Sequence, residues 1–117
     1  TIDGRQTTAR WSDENPETRA AIEGALPLAG DASRWGDELY FRTDVDVPPE
    51  TAREEVEVGA LAYWPGGNAV CLFWGPTPAS EGDEPEAAHP VNVVAQVDDV
   101  SVFADVDGGA ALRIEKG

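Results

Sequence analysis

Cys71 and His89 are the single cysteine and the single histidine of the sequence, and they are the residue types that could form a nucleophile and its base. A base within hydrogen-bond reach of a thiol takes its proton and leaves a thiolate that can attack a substrate. Cys71, however, stands between Val70 and Leu72 in an apolar run, where thiols usually serve as small core residues. No helix start follows it to lower its pKa, so a buried cysteine and a loop histidine are expected. One cysteine also excludes an internal disulfide and a zinc centre of several thiolates. One histidine excludes a histidine-rich metal site built within one chain. The acid clusters Asp44-Asp46, Glu54-Glu55-Glu57 and Asp98-Asp99 lack the spaced D-x-D-x-D-G pattern of a calcium loop. They read as a solvated acidic face, and neither a metal nor a cofactor is expected. Nothing singles out two acids with contrasting environments, so a paired-carboxylate hydrolase is not indicated.

Recognition is the chemistry the aromatic residues suggest. The stretch LAYWPGGNAVCLFWGPTP, residues 61–78, gathers Tyr63, Trp64, Phe73 and Trp74 around a Pro-Gly-Gly-Asn turn. Strand alternation is expected to place Leu61, Tyr63, Cys71 and Phe73 on one face and Ala62, Trp64, Val70 and Trp74 on the other. One face fills a core. Tryptophans on the other are costly in water unless a helix covers them or a ligand uses them. Upstream, RWGDELYF carries Arg34 beside Trp35, where a guanidinium can stack on the ring, clamp a carboxylate or simply pair with nearby acid. Gly36 marks a close backbone approach that a side chain would block. The candidate site is an aromatic cleft near Arg34, Trp35, Tyr63, Trp64, Phe73 and Thr77. Tyr63 and Trp64 would give stacking area, Arg34 a charge clamp, and the segment Glu81–Pro90 a rim or lid.

Charge narrows the partners. The 117 residues hold 23 Asp and Glu against 8 Lys and Arg, a net charge of −15, and Lys116 is the only lysine. Phosphate backbones need clustered lysine and arginine, so nucleic acid is excluded as an expected partner. An anionic membrane surface is disfavoured for the same reason. So acidic a chain repels itself in dilute buffer, and molar salt screens that repulsion down to about 3 Å. A halophilic, cytoplasmic protein is expected. Its melting temperature should rise by more than about 5 °C between 0.1 M and 2 M potassium chloride. A melt indifferent to salt would overturn that expectation.

The elements that must hold these residues read as a single domain over residues 1–117. Asp3-Gly4 signals a hairpin turn near the start. A helix follows, with Asn15 at its N-cap, Pro16 at its first position and Pro27 ending it. DASRWGDELYFRTDVDVPP reads as a loop and then a strand with Leu39 and Phe41 inward. ETAREEVEV is either a polar helical turn or an edge strand with Val56 and Val58 inward. Residues 59–64 and 69–74 form a hairpin whose turn places Gly66 at positive φ, as a type II turn requires. GPTPASEGDEPEAAHP is a long loop, VNVVAQV a strand, SVFADV a short element, DGG a turn and AALRIEK the last strand. A single short helix with many short strands is best accommodated by a closed or nearly closed β-barrel, which removes sheet edges.

Three blocks in order, RWGDELYF, VEVGALAYWPGGNAVCLFWGPTPAS and HPVNVVAQV, together resemble the small cyclophilin-like proteins of archaea and bacteria. The family pattern runs R-W-G-D-E-x-Y-F, then V-x-x-G-x-x-A-Y-W-P-x-G-x-A-x-C-x-F-x-G-P-T-P, then P-V-N-x-x-G. Pro-Gly-Gly stands here where Pro-Pro-Gly is usual, and Ala95 where glycine is usual. The resemblance implies a mainly β fold, a closed cyclophilin-like barrel of about eight strands with one short α-helix. It does not carry over peptidyl-prolyl isomerase activity, which must lower a barrier of about 18–20 kcal/mol. The F-H-R-V-I signature of true cyclophilins is missing, and Arg34 could imitate only part of it. The leading expectation is binding of a small ligand or an extended, proline-containing peptide. An atypical isomerase and a homo-oligomeric assembly protein are the alternatives.

Overall fold

Short apolar runs punctuated by Pro and Gly become eight strands and one α-helix in the computed structural model, which describes residues 2, 5–103, 106 and 108–116. In chain order they are β1 (Ala9–Trp11), α1 (Pro16–Ala25), β2 (Leu28–Arg34), β3 (Glu38–Arg42), β4 (Arg53–Glu55), β5 (Ala60–Trp64), β6 (Ala69–Phe73), β7 (Glu86–Val97) and β8 (Ala110–Ile114). Single 3-10 turns occupy Pro65–Gly67 and Ser101–Phe103. The expected Asp3-Gly4 turn, and Asp107 of the Asp-Gly-Gly turn, lie outside the described residues. No described helix is long and apolar enough to cross a membrane.

All described strand pairs are antiparallel and run in the order β1-β7-β5-β6-β3-β2-β8, with β4 added to β7. The path begins at β1 and ends at β8 without a described ladder between them, so the sheet is an open half-barrel. The closed barrel expected from sequence is corrected to this extent. A lone bridge from Ile2 to Leu112 approaches the gap. The space between the two end strands is a cavity of about 980 Å³ walled by Trp11, Leu61, Leu72, Phe103 and Leu112.

Register decides which face each aromatic occupies. Tyr63 lies opposite Val70 and Leu61 opposite Leu72, while Ala62 lies opposite Cys71 and Trp64 opposite Ala69. Directly opposed residues project to the same side of a sheet. Leu61, Tyr63, Val70 and Leu72 therefore join Ile22 of the helix in an inner core, and Ala62, Cys71 and Phe73 join Val56, Ala87, Val91 and Val93 in an outer one. The alternation expected from sequence was one residue out on β6. Trp64 packs against the outer core and Trp74 against the inner, so these two rings do not share a face. The left-handed residue of the hairpin is Asn68, at φ 50°, and not Gly66.

Other elements also shifted from their expected bounds. Residues 31–34, read as loop, belong to β2, which begins at Leu28 and pairs with β3 and β8. The last strand before the C-terminal region starts at Glu86, five residues ahead of Val91, so His89 stands on a strand. ETAREEVEV contributes the edge strand β4, with Val56 buried but Val58 52% exposed.

The helix starts as expected, with Asn15 at the N-cap and Pro16 first, but its capping oxygen comes from elsewhere. Glu50 accepts from Glu17 N at 3.2 Å, Thr18 N at 3.1 Å and Thr18 Oγ1 at 2.9 Å. Desolvation would raise the Glu50 pKa, but these hydrogen bonds outweigh it and hold the carboxyl below its usual range. Asn15 is freed for tertiary work: its Nδ2 donates to Val93 O at 2.9 Å and its Oδ1 accepts from Thr51 N at 2.6 Å. Asn92 completes the knot, accepting from Glu50 N at 3.0 Å and donating to Thr18 Oγ1 at 3.0 Å. Both buried amides are thus partnered, as a dry interior demands.

Candidate functional site

A cleft of about 280 Å³ opens over the outer face, where β3, β5, β6 and β7 lie side by side. Its walls include Trp35, Glu38, Tyr40, Trp64, Cys71 and His89. Period-two geometry explains the set. Glu38 and Tyr40 have the same parity on β3, and Tyr40 lies opposite Cys71 on β6. Trp35 arrives from the β2–β3 turn, in which Trp35 N donates to Glu38 O at 2.9 Å and Glu38 N to Trp35 O at 3.2 Å. Of the two central residues only Gly36 has a positive φ, 61°, the pattern of a type II′ hairpin turn.

Trp64 is held from both sides. Its ring stacks on His89 with centroids 5.4 Å apart and an interplanar angle of 6°. The Pro-Gly-Gly turn folds over it: a Cβ on Gly67 would sit 2.4 Å from Trp64 Cε3 and Cζ3, and one on Gly66 2.9 Å from Nε1. The glycines are therefore present for the ring's sake, and the ring's edge is a fixed wall of the cleft.

Electrostatics set Glu38 apart. Its side chain is 6% exposed, and burial pushes its carboxyl up to about 7 against a smaller opposing effect of the hydrogen bond with Cys71. The Cys71 thiol is pushed well above its ordinary range by burial first and by the adjacent Glu38 carboxylate second. It stays a thiol at neutral pH and is a hydrogen-bond donor rather than a nucleophile. Cys71 and His89 share the cleft, but the thiolate that a nucleophilic pair needs is disfavoured there.

The residues singled out from sequence divide. Trp35 and Trp64 meet in the cleft. Tyr63 is fully buried in the inner core, with its hydroxyl donating to Val45 O and accepting from Asn68 Nδ2 at 3.1 Å. Phe73 is fully buried in the outer core, beneath the cleft rather than on its wall. Thr77 is buried and ties its loop to β7 through a hydroxyl hydrogen bond to Glu86 O. Arg34 does not line the cleft. Its guanidinium donates to Gly36 O at 2.8 Å, Val106 O at 2.6 Å and Asp37 Oδ1 at 3.0 Å, and lies 5.4 Å from the centroid of Trp74. Sequence reasoning missed Glu38 and Tyr40, while of the segment Glu81–Pro90 read as a rim or lid, Ala87, Ala88 and His89 line the cleft. The parity of Glu38 and Tyr40 on β3 was a usable signal, hidden by the misplaced face of Cys71.

The described residues thus form a mainly β, antiparallel half-barrel with one α-helix. The chain belongs to the cyclophilin-like family, whose sequence model matches residues 1–115. Among solved structures it is similar to the solution structure of the hypothetical protein AF2241 from Archaeoglobus fulgidus. The two share 37% sequence identity with a TM-score of 0.79, over 99% of this chain and 90% of that one. No curated protein matches the chain.

Proposed function

We propose that this protein is a binding protein whose ligand enters the outer cleft between Trp35, Tyr40 and Trp64. The ligand is a small organic molecule or a side chain of an extended peptide, since about 280 Å³ lies near the lower end of small-molecule sites. One observation carries the reading: three aromatic side chains converge on a buried carboxyl within a single concavity. Rigid rings with a few placed polar groups are the usual composition of a recognition site. The seam cavity between β1 and β8 is larger, but it joins inner-core side chains to a rim of exposed polar residues such as Thr8, Asp98 and Lys116, and the carboxyls that line it are exposed rather than buried. For an isomerase, the arginine nearest in sequence that would have to face a prolyl nitrogen is engaged elsewhere, so the geometry favours binding without turnover.

The test is a saturation-transfer NMR screen of metabolites and proline-containing peptides in 2 M potassium chloride, followed by Trp35→Ala. Trp35 belongs to neither core, so its truncation should leave the melting temperature within a few degrees. Affinity for a cleft ligand should fall about five- to thirtyfold, because a stacked aromatic contributes on the order of 1–2 kcal/mol. Trp64→Ala is the less clean variant, since it also removes the support of the Gly66-Gly67 turn. A ligand whose affinity survives both Trp35→Ala and Tyr40→Ala binds elsewhere and overturns the proposal.

A further inference from the structure

We infer that the ligand of the outer cleft is a small organic cation, a quaternary ammonium or a protonated amine, seated against Trp35 and Tyr40 with Glu38 as its counter-ion. This rests on the binding reading above and adds the chemical class. Three observations converge. Glu38 is buried at the cleft, and the described hydrogen-bond partner of its carboxyl is the weak thiol donor of Cys71. A buried carboxylate without a cation is unfavourable, and a guest of opposite charge supplies what the protein does not. The remaining walls include indole and phenol rings, whose negative faces attract cations and are the common solution for recognising alkylammonium groups. The net charge of −15 concentrates cations around the whole molecule.

Arg34 and Arg42 are equally near Glu38 in sequence; the donors of Arg34 are spent on Gly36 O, Val106 O and Asp37, and Arg42, of the same parity at the far end of β3, is not among the residues that line the cleft. Among the described residues, no lysine or arginine lines the cleft. The titratable side chains that share the space with Glu38 are Tyr40 from β3, Cys71 from β6 and His89 from β7. The β5 wall, Trp64, carries none. Burial holds Cys71 as a neutral thiol, so it neither supplies nor opposes a charge. His89, stacked on Trp64, is the one lining side chain of basic type.

The experiment compares choline with its uncharged carbon isostere, in which a quaternary carbon replaces the nitrogen, by isothermal titration calorimetry on the intact chain. At pH 8 choline should bind at least about tenfold tighter than the isostere, and the preference should shrink toward parity below pH 6 as Glu38 takes up its proton. Near pH 6.5, choline binding should release protons, seen as a heat that depends on the ionisation enthalpy of the buffer. Glu38→Gln should abolish the proton release and reduce the preference to the few-fold that the ring faces alone supply, while the isostere binds as before. Equal affinity for the two probes, or a preference undiminished in Glu38→Gln, overturns the proposal of a cation paired with Glu38. Failure of choline to bind also overturns it. The cleft itself would still stand if a screened ligand lost affinity in Trp35→Ala, and would fall with it otherwise.

Discussion

Glu38→Gln is expected to make the folded protein more stable by about 3 kcal/mol at pH 8 and to leave it unchanged at pH 4.5. The carboxyl titrates near 4.5 when solvated and at about 7 in the folded chain. Between those values the folded state holds a proton that the unfolded state has lost, so stability falls as pH rises. The protonated form carries its full advantage below pH 4.5. Above pH 7 both states are ionised, and the folded one bears the whole cost of a buried charge. Glutamine has the same shape and no proton to lose. Urea unfolding of both proteins at pH 5 and pH 8, in the same high salt, reads the difference directly. An equal stability change at both pH values would show that Glu38 does not titrate in this window. An acid whose ionisation is this unfavourable in an accessible cleft is more characteristic of a binding site than of a scaffold.

The second large effect belongs to Gly36. Its φ of 61° is one that a side chain adopts only at a cost of about 1–2 kcal/mol, and a Cβ there would lie 2.8 Å from Thr77 Cα and from Pro78 Cδ. Overpacking against backbone adds about 1–3 kcal/mol. Gly36→Ala should therefore destabilise by about 3 kcal/mol. It should also loosen the cleft, because the turn that positions Trp35 is pinned by Asp37 N donating to Pro76 O at 3.0 Å. Gly24 provides the contrast. It sits in α1, where a Cβ would meet nothing within 4 Å, so Gly24→Ala should stabilise by up to about 1 kcal/mol. Thermal melts of the two variants check the pair. If Gly36→Ala melts with the wild type, the turn is not the constraint described.

Much of the scaffold was legible because local signals agreed with tertiary ones. Asn15-Pro16 started the helix, Leu39 and Phe41 alternated on β3, and the close approach at Gly36 was readable from a glycine between two larger residues. β2 was not legible. Gly30 and Asp31 argue against a strand, yet Gly30 is there because Phe41 lies on it: a Cβ would be 2.9 Å from Phe41 Cδ2. The faces of the central hairpin were obscured by its double burial. Ala60–Tyr63 and Ala69–Phe73 are buried on both sides, so hydrophobicity carries no period to set the register. That ambiguity propagated to the site. Placing Cys71 beside Tyr63 hid its actual neighbours, Tyr40 and Glu38, and the charge reading rested on Arg34 for its place next to Trp35.

The capping of α1 has a bearing on the order in which the chain can be assembled. Its first turn receives its acceptor from Glu50, and Glu50 in turn is steered by Asn92. At ten residues the helix is too short to persist alone, so its beginning is fixed only after strands far downstream have docked. An element encoded ahead of those strands thus depends on long-range closure for its final order.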